Sequence, residues 1–120
     1  MPVRSSSSRV LRWPDAASVV AAARAWAHEL YERDPAVARV GYFGSYARGD
    51  AGVGSDLDLV VITRADAGAR PAWAFDASRL PVPADVLVFS EARWHELRAQ
   101  RTGIARTIAR EAKWFERDER

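Results

Sequence analysis

The sequence predicts an α+β fold (mixed α/β) in which a small mixed β-sheet of about four strands carries helices packed on one face. Three observations predict it: the chain has 120 residues, its apolar runs have the length of single strands, and helical segments alternate with those runs. A chain of this length usually forms one domain with its own core. We therefore expect one domain over residues 13–117, preceded by a flexible leader at residues 1–12.

The composition is that of a folded domain with an ordinary solvated surface. The 18 basic residues are interspersed with 16 acidic ones, so the net charge of +2 gives no reason to expect direct binding of nucleic acid. The chain has no cysteine, which excludes disulfides and thiolate metal sites. Its apolar runs are all shorter than the roughly 18 residues that a membrane span needs. We therefore expect a cytoplasmic protein that does not enter a membrane.

The first predicted helix follows the leader. Asp15 is suited to cap its first turn, and the alanine-rich segment after it has high helical propensity. Apolar residues recur in this segment at helical spacing, at Val19, Ala23, Trp26 and Leu30. The helix ends before Pro35, because the residue that precedes a proline is pushed out of helical geometry. Its apolar stripe indicates that the helix packs on the sheet.

Three strands are predicted in the middle of the chain, at residues 37–43, 57–63 and 84–89. Each of them is rich in branched or aromatic residues. The second has the highest apolar density, which indicates a central position in the sheet. Between the first two strands, Gly44 begins a turn, and a short helix and a glycine-rich loop fill residues 45–55.

The second half of the chain contains an irregular connection, further helix and a short strand. Three prolines make residues 64–83 irregular. Ser90 is suited to cap a helix that begins at Glu91, and the helical pattern continues after a break at residues 102–103. A short edge strand is expected over residues 112–116.

Two aspartates, Asp56 and Asp58, stand at the head of the second predicted strand. Strand side chains alternate between faces, so both carboxylates point to one side while Leu57 and Leu59 point into the core. Two carboxylates on one face suit Mg²⁺ or Mn²⁺, which take oxygen ligands from carboxylates and phosphates. Such pairs also occur on solvated strand edges, but uncompensated charges beside an apolar strand are costly. The pair therefore predicts a bound cation.

A third carboxylate, Asp85, begins the third predicted strand. Three carboxylates at one end of neighbouring strands can bind two metal ions, which hold a triphosphate and activate an attacking hydroxyl. Aspartate is also common as a turn residue at the start of a strand, so Asp85 by itself is an ambiguous signal.

Gly44 and Ser45 begin the turn upstream of the aspartates. Glycine lets the backbone approach a phosphate closely, and the N–H groups of a short helix, together with the Ser45 hydroxyl, favour an anion. Arg48 adds a positive charge for the same phosphates. Glycine turns are common, and this one gains meaning from its position shortly before Asp56 and Asp58. Together these residues predict one site for a metal-bound polyphosphate.

These motifs resemble those of the nucleotidyltransferase superfamily of DNA polymerase β. The resemblance rests on Gly44-Ser45, Gly49, the run Ser55-Asp56-Leu57-Asp58-Leu59, and Asp85. The pattern Gly-Ser-x-Ala-Arg-Gly at residues 44–49 is similar to that of the minimal nucleotidyltransferases, which are small proteins that comprise only the catalytic domain. The resemblance covers residues 37–115 and implies the nucleotidyltransferase fold.

The resemblance also implies roles and a reaction. The catalytic and metal-binding residues would be Asp56, Asp58 and Asp85. The nucleotide-binding residues would be Gly44, Ser45 and Arg48. The implied reaction is an in-line attack of a hydroxyl on the α-phosphate of a nucleotide such as ATP, which transfers AMP and releases pyrophosphate.

A partner protein is a further implication of the resemblance. Minimal nucleotidyltransferases are similar in role to antitoxins paired with HEPN-domain ribonuclease toxins, and some transfer AMP to a tyrosine of the toxin. A chain of 120 residues leaves no room for the acceptor-binding domains of larger relatives. We therefore expect a hetero-oligomer in which a HEPN-type toxin supplies the acceptor hydroxyl.

Two other functions remain open at this point. A non-catalytic binding module would neutralise its partner by covering it, but such a module has no need of three charges near a strand end. A small-molecule transferase of the aminoglycoside-modifying type needs an acceptor pocket that a second domain usually builds. The intact acids favour the enzyme that acts on a partner protein.

Overall fold

A computed structural model of the chain describes residues 13–64, 70–101 and 103–117. The predicted leader at residues 1–12 lies outside the described residues. Part of the predicted irregular connection, residues 65–69, lies outside them as well. The structural statements below therefore concern the domain expected over residues 13–117, without those gaps.

Helices and strands alternate along the described chain. Its first half contains α1 (Ala16–Arg33), β1 (Val37–Phe43), α2 (Ser45–Arg48) and β2 (Leu57–Thr63). A 3₁₀ turn (Ala72–Ala74) then precedes β3 (Ala84–Ser90), α3 (Glu91–Gln100), α4 (Gly103–Glu111) and β4 (Lys113–Phe115). The predicted helices and strands are all present, with small differences at their ends.

The four strands form one mixed sheet in the order β3-β2-β1-β4. β1 pairs antiparallel with both β2 and β4, whereas β2 and β3 run parallel. β2 therefore lies inside the sheet, as its apolar density predicted, and β3 and β4 form the edges. The α+β class and the small mixed sheet of four strands are confirmed.

Helices cover both faces of this sheet, and the prediction that they pack on one face is wrong. One face of β2 packs against α1 through Leu57, Leu59 and Val61. Its other face packs against α3 and α4 through Val60 and Ile62. The physical reason is that β2 is apolar on both faces, and a strand buried on both sides needs a layer on each.

The Tyr31 hydroxyl at the end of α1 joins the helix to two strands. It accepts a hydrogen bond from the Val40 N–H on β1 at 2.8 Å and donates one to the Phe115 carbonyl on β4 at 2.7 Å. Burial raises the pKa of Tyr31, so the hydroxyl keeps the proton that it donates. The Arg117 side chain donates to the backbone carbonyls of Tyr31 and Val37. These contacts hold β4 against β1.

The described part of the connection between β2 and β3, residues 70–83, is irregular, as predicted, and it contributes to the core. Phe75 and Val82 are 3% and 5% exposed and pack on the α1 side of the sheet. The Trp26 indole N–H donates to the Asp76 carbonyl at 2.9 Å. The connection therefore contacts α1 as well as the sheet.

α1 is the longest helix of the described chain, with 18 residues. One side of it is buried and the other is exposed, which is the pattern of a helix that lies on a sheet. Within residues 13–64, 70–101 and 103–117, no helix combines the length and apolar character that crossing a membrane requires.

Asp15 caps α1, and its contribution to stability should depend on pH. Its side chain accepts a hydrogen bond from the Ser18 N–H at 2.8 Å, and this bond lowers the pKa of Asp15 below its ordinary value of 3.8. A carboxyl whose pKa is lowered by folding stabilises the fold above its unfolded pKa. That stability is lost as the pH falls through the folded pKa.

We expect Asp15→Ala to lower the Tm of the chain at neutral pH, with the deficit shrinking below about pH 4. Asp15→Asn is the control, because its amide oxygen can still accept the Ser18 hydrogen bond but does not titrate. Thermal unfolding followed by circular dichroism at several pH values measures both variants. A deficit of Asp15→Ala that is the same at every pH would contradict the role of the carboxylate.

Candidate active site

Gly44 forms the junction between β1 and α2. Its φ of 78° and ψ of −151° lie in a region that essentially only glycine adopts. A Cβ at this position would lie 2.2 Å from Asp58 Oδ2, so the junction packs directly against this carboxylate. The sequence predicted a glycine for close approach to a phosphate, and the structure adds an approach to a predicted metal ligand.

The first turn of α2 presents its N–H groups beside this junction. Hydrogen bonding in the helix starts with the N–H groups of Ala47 and Arg48, which donate to the Gly44 carbonyl at 3.0 and 2.9 Å. The N–H groups of Ser45 and Tyr46 precede that ladder. Ser45 is half-buried, and Tyr46 is buried in the core. Ser45 thus has the position at the start of a short helix that the sequence predicted.

The parallel pairing of β2 with β3 sets Asp58 directly beside Asp85. Because paired positions share a face of a sheet, the two carboxylates lie on the same face. Asp56 immediately precedes β2 and is exposed, as Asp85 is, whereas Asp58 is half-buried. The structure thus brings the three acids to one end of two neighbouring strands.

The surroundings of the Asp58 carboxyl disfavour its ionised form. Burial raises its pKa above the ordinary value of 3.8, and the negative charges of Asp85 and Asp56 raise the pKa further. Arg48 lowers this pKa, because a positive charge favours the ionised carboxylate. A cation bound among the three acids would relieve their mutual repulsion.

Glu111, at the end of α4, is a further acid at the site that sequence reasoning missed. Its Oε1 accepts hydrogen bonds from the Gly44 N–H at 3.2 Å and from Arg48 Nη1 at 3.1 Å. The side chain is 12% exposed, and its charge also raises the pKa of Asp58. No local sequence pattern signals this role, because 67 positions separate Glu111 from Gly44.

Arg48 lies between two carboxylates at the edge of the site. Besides its bond to Glu111, its Nε donates to Asp50 Oδ2 at 3.2 Å. Its side chain is 46% exposed, so the guanidinium remains open to solvent. Of the residues predicted to bind the nucleotide, Gly44 and Arg48 are therefore engaged by carboxylates in this structure, through the Gly44 N–H and the Arg48 guanidinium.

The donor set fits a divalent cation that arrives with a polyphosphate. Among the residues that the structure describes, no group of three or more His, Cys, Asp or Glu side chains has the arrangement of a complete metal site. Mg²⁺ is usually held by one or two carboxylates together with substrate phosphates and water. Asp58 and Asp85, paired across β2 and β3, are two carboxylates of the kind that such a cation takes.

A family model for the nucleotidyltransferase domain matches residues 26–115 of the chain. The match spans more than half of the chain and includes every predicted site residue. The chain belongs to this family. The resemblance inferred from the Gly44-Ser45 turn and the aspartates is thereby confirmed. No curated protein matches the sequence.

Two solved structures resemble this nucleotidyltransferase-family chain. The structure of a toxin-antitoxin with AMP-PNP is 19% identical, covers 86% of this chain and 73% of that chain, and has a TM-score of 0.54. A candidate nucleotidyltransferase from Sulfolobus solfataricus is 20% identical, covers 82% of this chain and 86% of that chain, and has a TM-score of 0.49. At this identity, the likeness to the first shows a common fold and no more.

The close approach at Gly44 predicts that Gly44→Ala destabilises the chain. The glycine-only backbone conformation costs an alanine about 1–3 kcal/mol, which corresponds to a fall in Tm of about 4–12 °C or more once the contact with Asp58 is added. Gly52→Ala is the matched control, because a Cβ at Gly52 meets nothing within 4 Å. Thermal unfolding of both variants measures the difference. Equal Tm values for the two variants would contradict the steric role of Gly44.

The repulsion at Asp58 predicts that Asp58→Asn stabilises the metal-free chain at neutral pH. A carboxyl whose pKa is raised by folding adds stability that is fully present below its unfolded pKa and is lost as the pH rises through its folded pKa. Relative to Asn, the wild-type Asp58 is therefore at a disadvantage near pH 7 and at none near pH 3.

Thermal unfolding in EDTA and then in Mg²⁺ with ATP checks this prediction. We expect the Tm of Asp58→Asn to exceed that of the wild type in EDTA, and Mg²⁺ with ATP to raise the Tm of the wild type more than that of the variant. Glu96→Gln, in an exposed ion pair on α3, controls for removal of one carboxylate. A lower Tm for Asp58→Asn in EDTA at neutral pH would refute the repulsion.

Proposed function

We propose that the chain is a metal-dependent nucleotidyltransferase that transfers AMP from ATP to a hydroxyl of a partner protein, as the antitoxin of a pair with a HEPN-type toxin. The observation that carries the proposal is the register of β2 and β3, which pairs Asp58 with Asp85 next to Asp56. This acidic end of the sheet adjoins the Gly44 turn, in a chain of the nucleotidyltransferase family. We further propose the cytoplasm as its compartment, in keeping with the absence of cysteine.

Asp56, Asp58 and Asp85 are the residues that would hold Mg²⁺ or Mn²⁺. When bound, the cations neutralise the charge of the triphosphate and lower the pKa of an attacking hydroxyl. Asp58 is the half-buried member of the set, and its raised pKa supports a site in which positive charge is added on binding. Asp56 and Asp85 are exposed and remain accessible to a nucleotide that enters from solvent.

The turn from Gly44 to Arg48 is the proposed seat of the triphosphate. Gly44 allows the backbone to lie against Asp58, which keeps phosphates and acids close together. The N–H groups of Ser45 and Tyr46 precede the hydrogen-bond ladder of α2 and are suited to donate to phosphate oxygens. Arg48 is half-exposed and can turn from Glu111 to the phosphates.

The proposed reaction balances as a single displacement at phosphorus. The acceptor oxygen forms a bond to the α-phosphorus, and the bond from that phosphorus to the bridging oxygen breaks. Pyrophosphate leaves with the electron pair, and the hydroxyl proton passes to Asp85, which is exposed beside Asp58. The acids and the turn thus orient the reactants and receive the proton.

A protein acceptor and an adenine nucleotide are the finer parts of this proposal. One fold neighbour is described as a toxin-antitoxin with AMP-PNP, and AMP-PNP carries adenine. That neighbour supports a toxin as partner and ATP as nucleotide for this chain. The HEPN identity of the toxin rests on the resemblance of residues 44–49 and 55–59 to the minimal nucleotidyltransferases.

A purely binding antitoxin is the second candidate function, and one observation favours it. The Glu111 carboxylate already engages the Gly44 N–H and Arg48, which stand at the two ends of the turn proposed as the seat of the triphosphate. An antitoxin that only covers its toxin can keep the Glu111 carboxylate in this position. A transferase must move this carboxylate away before the phosphates bind. The two candidates differ in whether the acids are needed for neutralisation.

Transfer of labelled nucleotide tests the proposed function. The chain is incubated with Mg²⁺, a co-expressed HEPN-type toxin and each nucleoside triphosphate labelled at the α-phosphate. We expect label on the toxin from ATP, and a loss of at least about 10³-fold when Asp56 and Asp58 are both changed to Asn, because the removed carboxylates hold the metal ions. Glu96→Gln is the control for the loss of a carboxylate elsewhere, because Glu96 lies in an exposed ion pair on α3.

The outcome also separates the two candidate functions. Neutralisation of the toxin that survives Asp56→Asn with Asp58→Asn would favour the binding antitoxin. An absence of label on the toxin with every nucleotide, with all proteins folded, would refute the transferase.

The contacts of Glu111 predict that Glu111→Gln binds ATP more tightly than the wild type. The substitution removes a negative charge from the proposed phosphate seat and weakens the competing bond to Arg48. Ion pairs at a protein surface are worth about 0.2–1 kcal/mol, so we expect the Kd for ATP to fall by up to about fivefold.

Glu96→Gln is the matched control, because Glu96 forms an exposed ion pair with Arg93 on α3. Isothermal titration of ATP with Mg²⁺ measures both variants. Weaker binding by Glu111→Gln would instead show that Glu111 supports the seat rather than competes for it.

A further inference from the structure

The outer edge of β3 (Ala84–Ser90) is a strand edge with which no described residue forms a ladder, because β3 is the last strand on its side of the sheet. At the head of the β2–β3 ladder, the Leu57 N–H donates to the Pro83 carbonyl at 2.9 Å. Backbone groups alternate in direction along a strand, so every second residue after Pro83 turns its groups toward β2. The residues between them turn their N–H and C=O groups outward, at Ala84, Val86 and Val88.

This edge lacks the features that usually protect an exposed strand. Edge strands are commonly short, or they carry lysine, proline or a bulge that discourages further pairing. The opposite edge, β4, has 3 residues and carries Lys113. β3 has 7 residues in regular register with β2, and Asp85 is its one charged residue. β3 is therefore the edge of this sheet that can accept another strand.

A groove of about 850 Å³ lies beside the first half of this edge. One wall is the connection before β3, through Phe75, Leu80 and Val82. The other wall is the start of β3 itself, through Asp85 and Val86. A volume of this size can hold several side chains, and its wall is apolar on the α1 side of the sheet.

The groove carries negative charge. Asp76 and Asp85 line it, and its described lining residues include no lysine or arginine. Arg79 and Arg33 act on Asp76 from the adjoining surface, so the negative charge of the groove is concentrated at Asp85. An occupant with basic side chains is electrostatically complementary to this surface, and an acidic occupant is repelled.

We propose that the acceptor polypeptide docks here as an extended strand paired with the outer edge of β3. This inference rests on the proposed function and names the form of its acceptor. A residue of the added strand that lies opposite Asp85 shares the face of Asp85 and Asp58, so its hydroxyl is turned toward the acids. Its two neighbours turn to the opposite face, where the groove receives apolar side chains.

The chemistry of the acceptor segment follows from this geometry. A hydroxyl residue lies between two apolar neighbours, and basic side chains lie beyond them. Backbone hydrogen bonds to Ala84, Val86 and Val88 hold the segment, and the groove beside Ala84 and Val86 selects its side chains.

Amide hydrogen exchange of the whole chain, with synthetic peptides as probes, tests this docking. The basic probe has a central tyrosine, a valine on each side and two arginines at each end, so that it reaches the position opposite Val88, and the acidic probe has glutamates in place of the arginines. Two further versions of the basic probe carry N-methyl groups on alternate amides, one on each of the two sets. Only one of these sets faces β3 in a paired strand, because the amides of a strand alternate in direction.

We expect the basic probe to slow exchange of the Val86 and Val88 amides about tenfold or more, and the acidic probe to slow it less. One methylated probe should lose this effect and the other should keep it. The same behaviour of both methylated probes, or no protection by any probe, would overturn the docking site.

Transfer to the peptide separates this inference from the proposed function. With ATP and Mg²⁺, the basic probe should gain the mass of AMP on its tyrosine. Protection of β3 without transfer would support the docking site and count against the transferase. Transfer without protection of β3 would overturn the docking site and support the transferase.

A variant of β3 gives an independent readout. Val86→Pro removes an outward N–H, and proline is tolerated at such edge positions. We expect this variant to lose probe-dependent protection at Val88, whereas Val86→Ala keeps it. Should Val86→Pro fail to fold, the two methylated probes still decide the question on the wild-type chain.

A second copy of the chain is the competing occupant. Protection of Val86 and Val88 that grows with protein concentration in the absence of peptide, together with sedimentation as a dimer, would overturn the acceptor proposal in favour of self-pairing. We expect both amides to exchange at a rate that does not depend on protein concentration.

Discussion

The parallel pairing of β2 with β3 is the constraint on which the rest of the structure depends. Parallel strands cannot be joined by a tight turn, so the chain needs a long connection to return to the same end of the sheet. That connection adds Phe75 and Val82 to the core and ends where Asp85 comes to lie beside Asp58. The same pairing leaves the other side of β3 without a partner strand among the described residues. One ladder therefore assembles the acids and exposes the edge beside them.

Charge and steric fit are balanced around this ladder. Because Gly44 has no side chain, the turn lies in contact with Asp58, and any side chain at this position would collide with the carboxylate. Asp58 is held partly out of water beside two other acids, which raises its pKa. Arg48 opposes these negative charges, and Glu111 engages Arg48 and the Gly44 N–H at once. The charged groups of the site are thus held in place by one another, and binding of a cation and a polyphosphate would rearrange them.

Local patterns predicted the secondary structure and much of the site because their causes are local. Each of these signals influences only the backbone a few residues away from it. Examples are the cap at Asp15, the proline after Asp34 and the apolar run of β2. The prediction that helices share one face failed because it ignored that β2 is apolar on both faces. Glu111 was missed because a distant acid on a helix has no signature before the fold brings it to Gly44.

The sequence by itself determined the family, through the Gly44-Ser45 turn and the spacing of Asp56 and Asp58. The spacing is informative because side chains alternate between the two faces of a strand, whatever the rest of the fold is. Only the tertiary structure decided which acid stands beside Asp58, because the register of β2 on β3 depends on how a whole connection packs. It also decided that an acid from α4 reaches the same turn, and that β3 is an open edge. These contacts join residues far apart in the chain, and folding alone brings them together.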